Sequence, residues 1–369
     1  MCFGAQLQDR RCLYIHQIRI SLQYNFCISS LNKPFKKILI IQTAFLGDVI
    51  LATPIIEKLH QYFPECQLDF LLRKGNESLM KEHPFLKNIF VLDKNKKFRS
   101  MLETTRCIRK EKYELVINVQ RFASSGLITA LSGAKQTVGF SKNPFSIFFS
   151  RRIPHEIGEQ NTQHEVDRNI DLIEKFTDDK RVRPKLYASR QDEEKVKPYK
   201  SKDYLCIAPA SVWFTKQFPF EKWIEFINQL PEDLLVYFLG SPVDRDLCQR
   251  IIDESTNKLA VNLAGKLSLL ESAELMKDAV LNYVNDSAPL HLASQANAPV
   301  CAIYCSTIPA FGFGPLSDFS RIVEIRESLY CRPCNLHGYK QCPEGHFKCA
   351  LDINISQLNE VLKEARSIR

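Results

Sequence analysis

The chain has no run of uncharged apolar residues approaching the roughly 18 that a membrane-spanning helix needs, so the sequence predicts no segment that crosses a bilayer. It also has no low-complexity stretch and no short-period repeat. Its aromatic and basic residues are not interleaved in the motifs typical of nucleic-acid-binding modules. We therefore expect neither a repeat architecture nor a nucleic-acid partner.

The N-terminal segment, residues 1–33, lacks the continuous apolar stretch of a secretory signal. We expect it to be an unstructured extension or the product of a misassigned start. Cysteine is plentiful, at 13 residues, and without a secretion signal this count favours a reducing compartment. The expected location is therefore the cytoplasm.

Composition and charge divide the chain in two. Its 369 residues, 45% hydrophobic and 25% charged, suit a globular protein with two domains of about 150–200 residues each. Residues 1–185 hold 30 Lys and Arg against 19 Asp and Glu, whereas residues 186–369 hold 20 against 23. A basic half fits an acidic acceptor or an anionic membrane face, and equally a solvated lysine-rich surface.

Apolar runs of strand length alternate with segments of helical spacing along most of the chain. Lys36–Thr43 predicts a buried strand, Pro54–Phe63 a helix and Gln67–Leu72 the next strand. Gln160–Phe176 predicts a long polar helix, and Tyr204–Pro209 restarts the alternation after a charged connection. This pattern indicates parallel sheets with right-handed crossovers, the α/β class.

We predict two Rossmann-like domains that face a central cleft. The predicted segments are an N-terminal extension of residues 1–35, a first domain of residues 36–185 and a second domain of residues 186–369.

Asp48 stands where ligands bind in open α/β sheets, at the carboxyl end of the first predicted strand. A carboxylate there can accept a proton from a hydroxyl group, as a general base does. An aspartate near a helix start is also favoured simply by the orphan backbone N–H groups and the helix dipole. The position alone leaves both interpretations open.

A second group of polar residues follows a strand of the second half. Lys216 supplies a compact positive charge, and Ser211 and Thr215 supply hydroxyls, so this loop could hold a pyrophosphate and neutralise a departing nucleotide. Asp244 follows another strand, where an acidic residue can bind ribose hydroxyls or cap a helix. A surface loop with one exposed lysine is the alternative for the first of these loops.

Asn285–His291 reads as a strand end that leads into a helix start, and the N–H groups of such a start form an anion site. Ser287 and Ala288 lie at this start. Asp286 would repel a phosphate if it pointed inward, so we expect it to organise the loop or to meet sugar hydroxyls. His291 is a further donor-contact candidate, although a histidine within a helix is more often a packed side chain.

Four late cysteines, Cys331, Cys334, Cys342 and Cys349, are numerous enough for a tetrahedral zinc site. Only one Cys-x2-Cys pair is present, where two would be a strong signal. A structural zinc ion, free thiols and a disulfide therefore remain alternatives, and each of them is structural and not catalytic.

Taken in order, the motifs resemble those of the lipopolysaccharide heptosyltransferases, family 9 glycosyltransferases with the GT-B fold. The resemblance rests on KILII-x4-LGD at Lys37–Asp48, P-x-S-x4-K at Pro209–Lys216 and NDS-x2-LHLA at Asn285–Ala293. Gly240-Ser241-Pro242, Pro299-x4-Tyr304 and the late cysteines with Gly345-His346 are also similar.

The resemblance implies an inverting transfer of heptose from ADP-L-glycero-β-D-manno-heptose to the lipid A–Kdo inner core of lipopolysaccharide. It implies that Asp48 is the base, that Lys216 meets the donor phosphates, that Asp244 lies near the ribose and that Asp286 belongs to the donor loop. Arg121 is a candidate contact to the acceptor, which the first domain would bind. No metal is expected to be needed for the chemistry.

The implied location is cytoplasmic, with peripheral contact to the inner membrane that presents the acceptor. Two alternatives remain: a GT-B transferase or epimerase that uses another nucleotide sugar, and a non-catalytic GT-B scaffold with a metal-bound cysteine cluster.

Overall fold

The computed structural model of the chain describes residues 35–369. The predicted N-terminal extension lies outside the described residues except for its last position. Within the described part, no helix combines the length and the apolar character needed to cross a membrane.

The first half forms one parallel sheet of six strands, in the order β3-β2-β1-β4-β5-β6. Its strands are β1 (Lys37–Ile41), β2 (Gln67–Arg73), β3 (Leu86–Leu92), β4 (Leu115–Asn118), β5 (Gln136–Phe140) and β6 (Arg151–Ile153). Its helices are α1 (Leu46–Tyr62), α2 (Lys97–Glu111), α3 (Ala123–Leu131) and α4 (Glu165–Asp171).

Helices cover both faces of this sheet. The chain runs from β1 to β2 in one direction and from β3 to β4 in the other, so right-handed crossovers put α1 and α2 on opposite faces. Alternate side chains of β1 follow this division. Ile38 and Ile40 pack with α1, whereas Leu39 and Ile41 pack with Ile108 of α2. Burial on both faces explains why β1 reads as a continuous apolar run.

α1 begins at Leu46, eight residues before the predicted start at Pro54. Pro54 lies inside the helix and has no N–H to donate to the carbonyl of Ile50. The hydroxyl of Thr53 donates to that carbonyl instead, at 2.7 Å. The helix therefore runs through the proline, which the sequence prediction treated as its start.

The second half forms another parallel sheet of six strands, in the order β12-β11-β10-β7-β8-β9. Its strands are β7 (Tyr204–Ala208), β8 (Leu235–Phe238), β9 (Ala260–Asn262), β10 (Leu281–Asn285), β11 (Val300–Tyr304) and β12 (Ser320–Glu324). One helix, α5 (Arg190–Val196), precedes this sheet in the chain. The helices that follow are α6 (Phe220–Ile227), α7 (Arg245–Glu254), α8 (Leu269–Lys277), α9 (Ala288–Gln295), α10 (Lys348–Leu351) and α11 (Ile355–Ile368).

The long helix predicted over Gln160–Phe176 is wrong in extent, because α4 spans only Glu165–Asp171. His164 precedes it, and its side chain accepts a hydrogen bond from the N–H of Val166, which fixes the start of the helix. The predicted α/β class with two parallel sheets is confirmed.

The two halves share one buried apolar cluster. It includes Ile50 and Ile55 of α1 together with Tyr204 of β7 and Leu290 of α9. The amide nitrogen of Asn169 also donates to the carbonyl of Leu51 at 3.0 Å, which holds α4 against α1. The N–H of Glu165 at the start of α4 donates to the carbonyl of Gly312 at 2.8 Å, so α4 also links the two halves.

Candidate active site

Asp48 occupies the first turn of α1, directly beyond the carboxyl end of β1. The side chain is half-buried. Burial, and then the nearby negative charge of Glu165, raise the pKa of Asp48 to about 6, against an opposing contribution from Arg121. A carboxylate with this pKa is ionised at neutral pH and is a stronger base than an ordinary aspartate.

Arg121 follows β4, the strand next to β1, and its positive charge acts on Asp48. The ends of these strands are joined by a hydrogen bond of 2.6 Å from the Thr43 hydroxyl to Oε1 of Gln120. The predicted acceptor contact therefore lies beside the predicted base.

Two more cations lie in this region that the sequence analysis did not select. Arg73 ends β2, and its guanidinium lies 5.3 Å from the ring centre of Phe45. The pKa of Lys94 is lowered by partial desolvation and then by the charge of Arg73, while the charge of Asp48 opposes this shift. Each cation ends or follows a strand of the first sheet, and that position was the signal available in the sequence.

Glu165 is a buried acid that the sequence analysis missed. Its carboxylate accepts hydrogen bonds from Nε of Arg168 at 2.8 Å and lies 3.1 Å from Nε2 of His155. Burial alone would raise the pKa of Glu165, but the His155 hydrogen bond and the charges of His155 and Arg168 lower it overall. The group therefore stays anionic near Asp48.

Gly47 contacts the second half of the chain directly. A Cβ atom at this position would lie 2.7 Å from Cδ2 of His291. Burial lowers the pKa of His291 to about 4, so the ring is neutral. His291, predicted as a donor contact, thus packs against the residue that precedes Asp48, as a buried interface side chain.

Lys216 and Asp286 form an ion pair at 2.6 Å between Nζ and Oδ2. Both follow adjacent strands, β7 and β10, and both side chains are largely buried. The hydroxyl of Thr307 also donates to Oδ2 of Asp286 at 2.6 Å. Asp286 therefore holds the lysine ammonium in position, as expected for an organiser of this loop, and its own charge is balanced.

Asn285, which the sequence analysis did not assign, ties the two loops of the second sheet together. Its side-chain carbonyl accepts from the N–H of Phe218 at 2.9 Å, and its amide nitrogen donates to the carbonyl of Pro209 at 2.7 Å. Ser287 occupies the N-cap position of α9 in extended backbone conformation, without a side-chain cap hydrogen bond, and Ala288 is the first residue of that helix. Both lie beside Asp286, where the anion site was predicted.

The hydroxyl of Thr215, predicted to contact the donor, forms hydrogen bonds with other residues of the protein. It accepts a hydrogen bond from the N–H of Tyr339 at 2.7 Å and another from the hydroxyl of Ser306 at 3.0 Å. Thr215 is buried, so it fixes the loop that follows β12. Ser211 is half-buried in the same segment, and its backbone carbonyl accepts from the side chain of Gln217 at 2.6 Å.

Asp244 lies at the start of α7, but its side chain makes no cap hydrogen bond to that helix and instead closes the short 3-10 turn Pro242–Asp244. Its Oδ2 accepts from both the N–H and the hydroxyl of Ser241, at 2.7 and 2.6 Å, in a capping box. These bonds use one carboxylate oxygen and leave the other without a hydrogen bond from these partners.

The late cysteines lie near one another, since, beyond the effect of burial, the thiols of Cys334, Cys342 and Cys331 all raise the pKa of Cys349. Each of the ten cysteines in residues 35–369 is a free thiol, and in that part of the chain no group of three His, Cys, Asp or Glu side chains is placed to share a metal ion. Cys331 instead approaches Nε2 of His346, at 3.8 Å. Cys349 lies on α10 in the apolar core, where burial and neighbouring thiols raise its pKa to about 12.

The segment that carries these cysteines reaches the cleft through His337. Burial, and then the charges of Lys216 and Arg121, lower the pKa of His337. Gly338 has positive φ and packs against the side chain of Lys216. Arg332 anchors the segment by donating to the carbonyls of Cys305 and Thr307, at 2.7 and 2.8 Å. The segment therefore packs against the Lys216 loop.

Two family models match the chain. The model of glycosyltransferase family 9 (heptosyltransferase) matches residues 101–346, which is more than half of the chain. A thioredoxin model matches residues 5–89. The described part of that range forms α1 and strands of the first six-stranded parallel sheet, and its cysteines form no Cys-x2-Cys pair.

Curated relatives are similar over most of their length. The chain is 23% identical to lipopolysaccharide heptosyltransferase 1 of Campylobacter coli, covering 79% of this chain and 90% of the relative. It is 26% identical to lipopolysaccharide heptosyltransferase 3 of Escherichia coli K12, covering 72% and 81%.

Solved structures share the fold. The glycosyltransferase of family 9 from Veillonella parvula superposes with a TM-score of 0.75 at 20% identity, covering 90% of this chain and 97% of that one. The ADP-heptose lipopolysaccharide heptosyltransferase II of E. coli gives 0.72 at 19% identity, covering 89% and 99%.

Proposed function

The chain belongs to glycosyltransferase family 9, the heptosyltransferases, and we propose that it transfers heptose from ADP-L-glycero-β-D-manno-heptose to the inner core of lipopolysaccharide, with inversion at the anomeric carbon. Membership of this family makes it an enzyme of the glycosyltransferase class. The observation that carries the proposal is the contact of Gly47 with His291. It brings the base candidate Asp48 up to the helix that follows the Lys216–Asp286 pair.

In the proposed reaction, Asp48 accepts the proton of an acceptor hydroxyl as that oxygen attacks the anomeric carbon. The new bond joins the acceptor oxygen to this carbon, and the bond from the carbon to the β-phosphate oxygen breaks. The electron pair leaves with ADP. Attack from the side opposite the leaving group inverts the centre. A base with a pKa of about 6 is largely ionised at neutral pH, as this step requires.

The departing diphosphate gains negative charge, and Lys216 is the cation proposed to stabilise it. Its pairing with Asp286 at 2.6 Å orients the ammonium before the donor binds, so little reorganisation accompanies the reaction. The backbone N–H groups at the start of α9, beside Ser287, add partial positive charge. Because lysine and helix supply this charge, we propose that the chemistry needs no metal ion.

The acceptor side is proposed to bind anionic sugars. Arg121 and Lys94 lie close enough to Asp48 for their charges to interact with it, and Arg73 lies beside Lys94. Arginine pairs bidentately with carboxylates, the groups that Kdo carries. The cations also draw an anionic acceptor toward the base.

The test is a transfer assay of Asp48→Asn with ADP-heptose and a Kdo-bearing acceptor, run with EDTA present. We expect kcat to fall by about 100- to 10,000-fold, while calorimetry finds unchanged ADP binding. Asp246→Asn is the matched control, since Asp246 also lies in the first turn of a helix but is exposed.

Near wild-type turnover of Asp48→Asn would remove Asp48 as the base. Tight UDP binding without ADP binding would overturn the donor assignment and favour another nucleotide sugar. Loss of wild-type activity in EDTA would contradict the metal-free reaction.

A further inference from the structure

His337, in the segment that carries the late cysteines, has no part in the reaction described above. Its side chain is exposed, and the charges that act on it come from both halves of the chain. Lys216 and Asp286 follow strands of the second sheet, and Arg121 follows β4 of the first. The imidazole therefore faces the cleft, near the lysine proposed to meet the donor diphosphate.

Two hydrogen bonds and a tight packing contact hold the turn around His337 against the Lys216 loop. The N–H of Tyr339 donates to the hydroxyl of Thr215 at 2.7 Å, and the N–H of Thr215 donates to the carbonyl of Tyr339 at 3.1 Å. A Cβ atom at Gly338 would lie 2.9 Å from Cγ of Lys216. The two residues that follow His337 therefore fix its position relative to Lys216.

The residues before His337 fix the turn as well. Oδ1 of Asn335 accepts hydrogen bonds from the N–H groups of His337 and Gly338, at 2.7 and 2.6 Å. Within residues 35–369, the hydrogen bond of His337 is made by this backbone N–H and not by its ring. Both ring nitrogens are therefore available to a bound ligand, and an anchored backbone presents them.

The charges around the ring favour an anionic ligand. Burial, and then the charges of Lys216 and Arg121, lower the pKa of His337, while the charge of Asp286 opposes this shift. Without a ligand the ring is neutral at neutral pH, because a proton on it would add a third positive charge. The negative charge of a bound diphosphate would reverse this balance and favour the protonated ring.

We propose that His337 is a ligand of the donor diphosphate, and that its imidazole takes up a proton from solvent as the nucleotide sugar binds. The protonated ring donates a charge-assisted hydrogen bond to a phosphate oxygen. With Lys216, it balances the charge that the leaving phosphate gains, and the proton returns to solvent when the nucleoside diphosphate leaves. The inference rests on the proposed function for the identity of the donor.

The donor diphosphate is favoured over an acceptor carboxylate as the ligand. The turn of His337 packs directly on Lys216 of the donor loop. Arg121, the acceptor candidate, acts on the ring only through its charge, and less strongly than Lys216. The contacts of the turn are thus on the donor side of the cleft.

The test is calorimetry of ADP-heptose binding to the full chain without acceptor, at about pH 7 in PIPES and in ACES, two buffers that differ in ionisation enthalpy. The diphosphate of ADP-heptose is a diester and does not titrate near this pH, so proton uptake reports the protein. Wild-type chain should take up about half a proton more per bound donor than His337→Gln. Asp48 is present in both proteins, so this difference isolates His337.

Donor affinity supplies a second measurement. Because the bound ring holds a proton that the empty ring lacks, the gain in affinity is present at low pH and is lost as pH rises through the pKa of the bound ring. His337→Gln should therefore weaken donor binding about three- to tenfold at about pH 6 and change it little at about pH 9. His60→Gln is the matched control, since His60 lies in the last turn of α1, roughly 20 Å along that helix from Asp48.

Equal proton uptake by the wild type and His337→Gln would overturn the proposal. An equal loss of donor affinity at low and high pH would indicate a merely structural role and also overturn it. Unchanged donor affinity with a raised KM for a Kdo-bearing acceptor would assign the ring to the acceptor instead.

The role of His337 and the proposed function fail separately. Proton uptake that depends on His337, without any heptosyl transfer, would reject the function and retain the ligand. Heptosyl transfer with equal proton uptake in both proteins would do the reverse. If a UDP-sugar binds in place of ADP-heptose, the same comparison applies with that sugar, because it carries the same diphosphate diester.

Discussion

At the scale of single residues, the proposed chemistry depends on an aspartate, Asp48, whose charge is unfavourable where it stands. Burial and the fixed anion of Glu165 both raise the pKa of Asp48. Glu165 itself stays ionised because His155 and Arg168 hold it. The basicity of Asp48 is therefore set by residues that are distant in sequence.

The pKa of Asp48 predicts the acid side of the pH profile. Because the ionised form is the base, kcat/KM should fall as pH drops through about 6. Glu165→Gln removes the nearby anion, so the fall should move to lower pH, by less than about one pH unit since burial is the larger cause. A profile that is unchanged in this variant would contradict the coupling of the two carboxyl groups.

The same pKa predicts a gain of stability on removing the charge. A carboxyl group whose pKa rises on folding binds more protons when folded, so stability is lost as pH rises from 3.8 to about 6. At pH 7.5, Asp48→Asn should raise the free energy of unfolding by at most about 3 kcal/mol. Urea denaturation measures this, with Asp246→Asn expected to change little. A less stable Asp48→Asn variant would contradict the buried-charge account.

At the scale of elements, α1 shows how one hydroxyl lets a helix continue through a proline. The Thr53 hydroxyl donates to the Ile50 carbonyl that Pro54 leaves free, and it accepts from the N–H of Lys185 at 2.9 Å. One side chain therefore satisfies a helix carbonyl and anchors the connection between the two sheets.

Thr53→Val tests this role, because valine keeps the shape and removes the hydroxyl. We expect a loss of about 1–3 kcal/mol in the free energy of unfolding, since the buried Ile50 carbonyl and the part-buried N–H of Lys185 lose their partner. Thr105→Val is the control. Its hydroxyl donates to the Met101 carbonyl at 2.7 Å, which keeps its ordinary helical partner. Equal losses in both variants would contradict the special role of Thr53.

At the scale of the whole molecule, the two halves are joined at α4 as well as through the shared core. The N–H of Glu165 donates to the carbonyl of Gly312 at 2.8 Å, and Nη2 of Arg168 donates to that of Phe311 at 2.6 Å. The helix that supplies the fixed anion near Asp48 thus also holds the second half. Association of the halves and the electrostatics of the base are coupled.

Gly47→Ala tests the contact between the halves. The added methyl would overlap the buried His291 ring, so we expect stability to fall by about 1–3 kcal/mol and transfer activity to fall with it. Gly158→Ala is the control, as no atom lies near its Cβ position. In a His291→Ala background, Gly47→Ala should have a much smaller effect. An equal effect in both backgrounds would contradict the contact.

The sequence predicts the fold where the pattern is strong. Apolar runs followed by polar turns located β1, β2 and β7 and the end of β10, in agreement with the two parallel sheets. The prediction did not include β5, β6, β12 or α11. β6 and β12 are edge strands whose side chains are mostly part-exposed, which weakens the apolar pattern. β5 is buried, but Gln136, Thr137 and Gly139 interrupt its apolar residues.

The sequence by itself determined the α/β class and put Asp48, Lys216 and Asp286 at strand ends, because local patterning sets where strands stop and turns begin. Only the tertiary structure decided what the candidate site residues contact. In the structure, Lys216 pairs with Asp286, His291 contacts Gly47, and Cys349 lies in the apolar core. Burial, charge neighbours and ligand geometry depend on residues far apart in the chain, so no local pattern contains them.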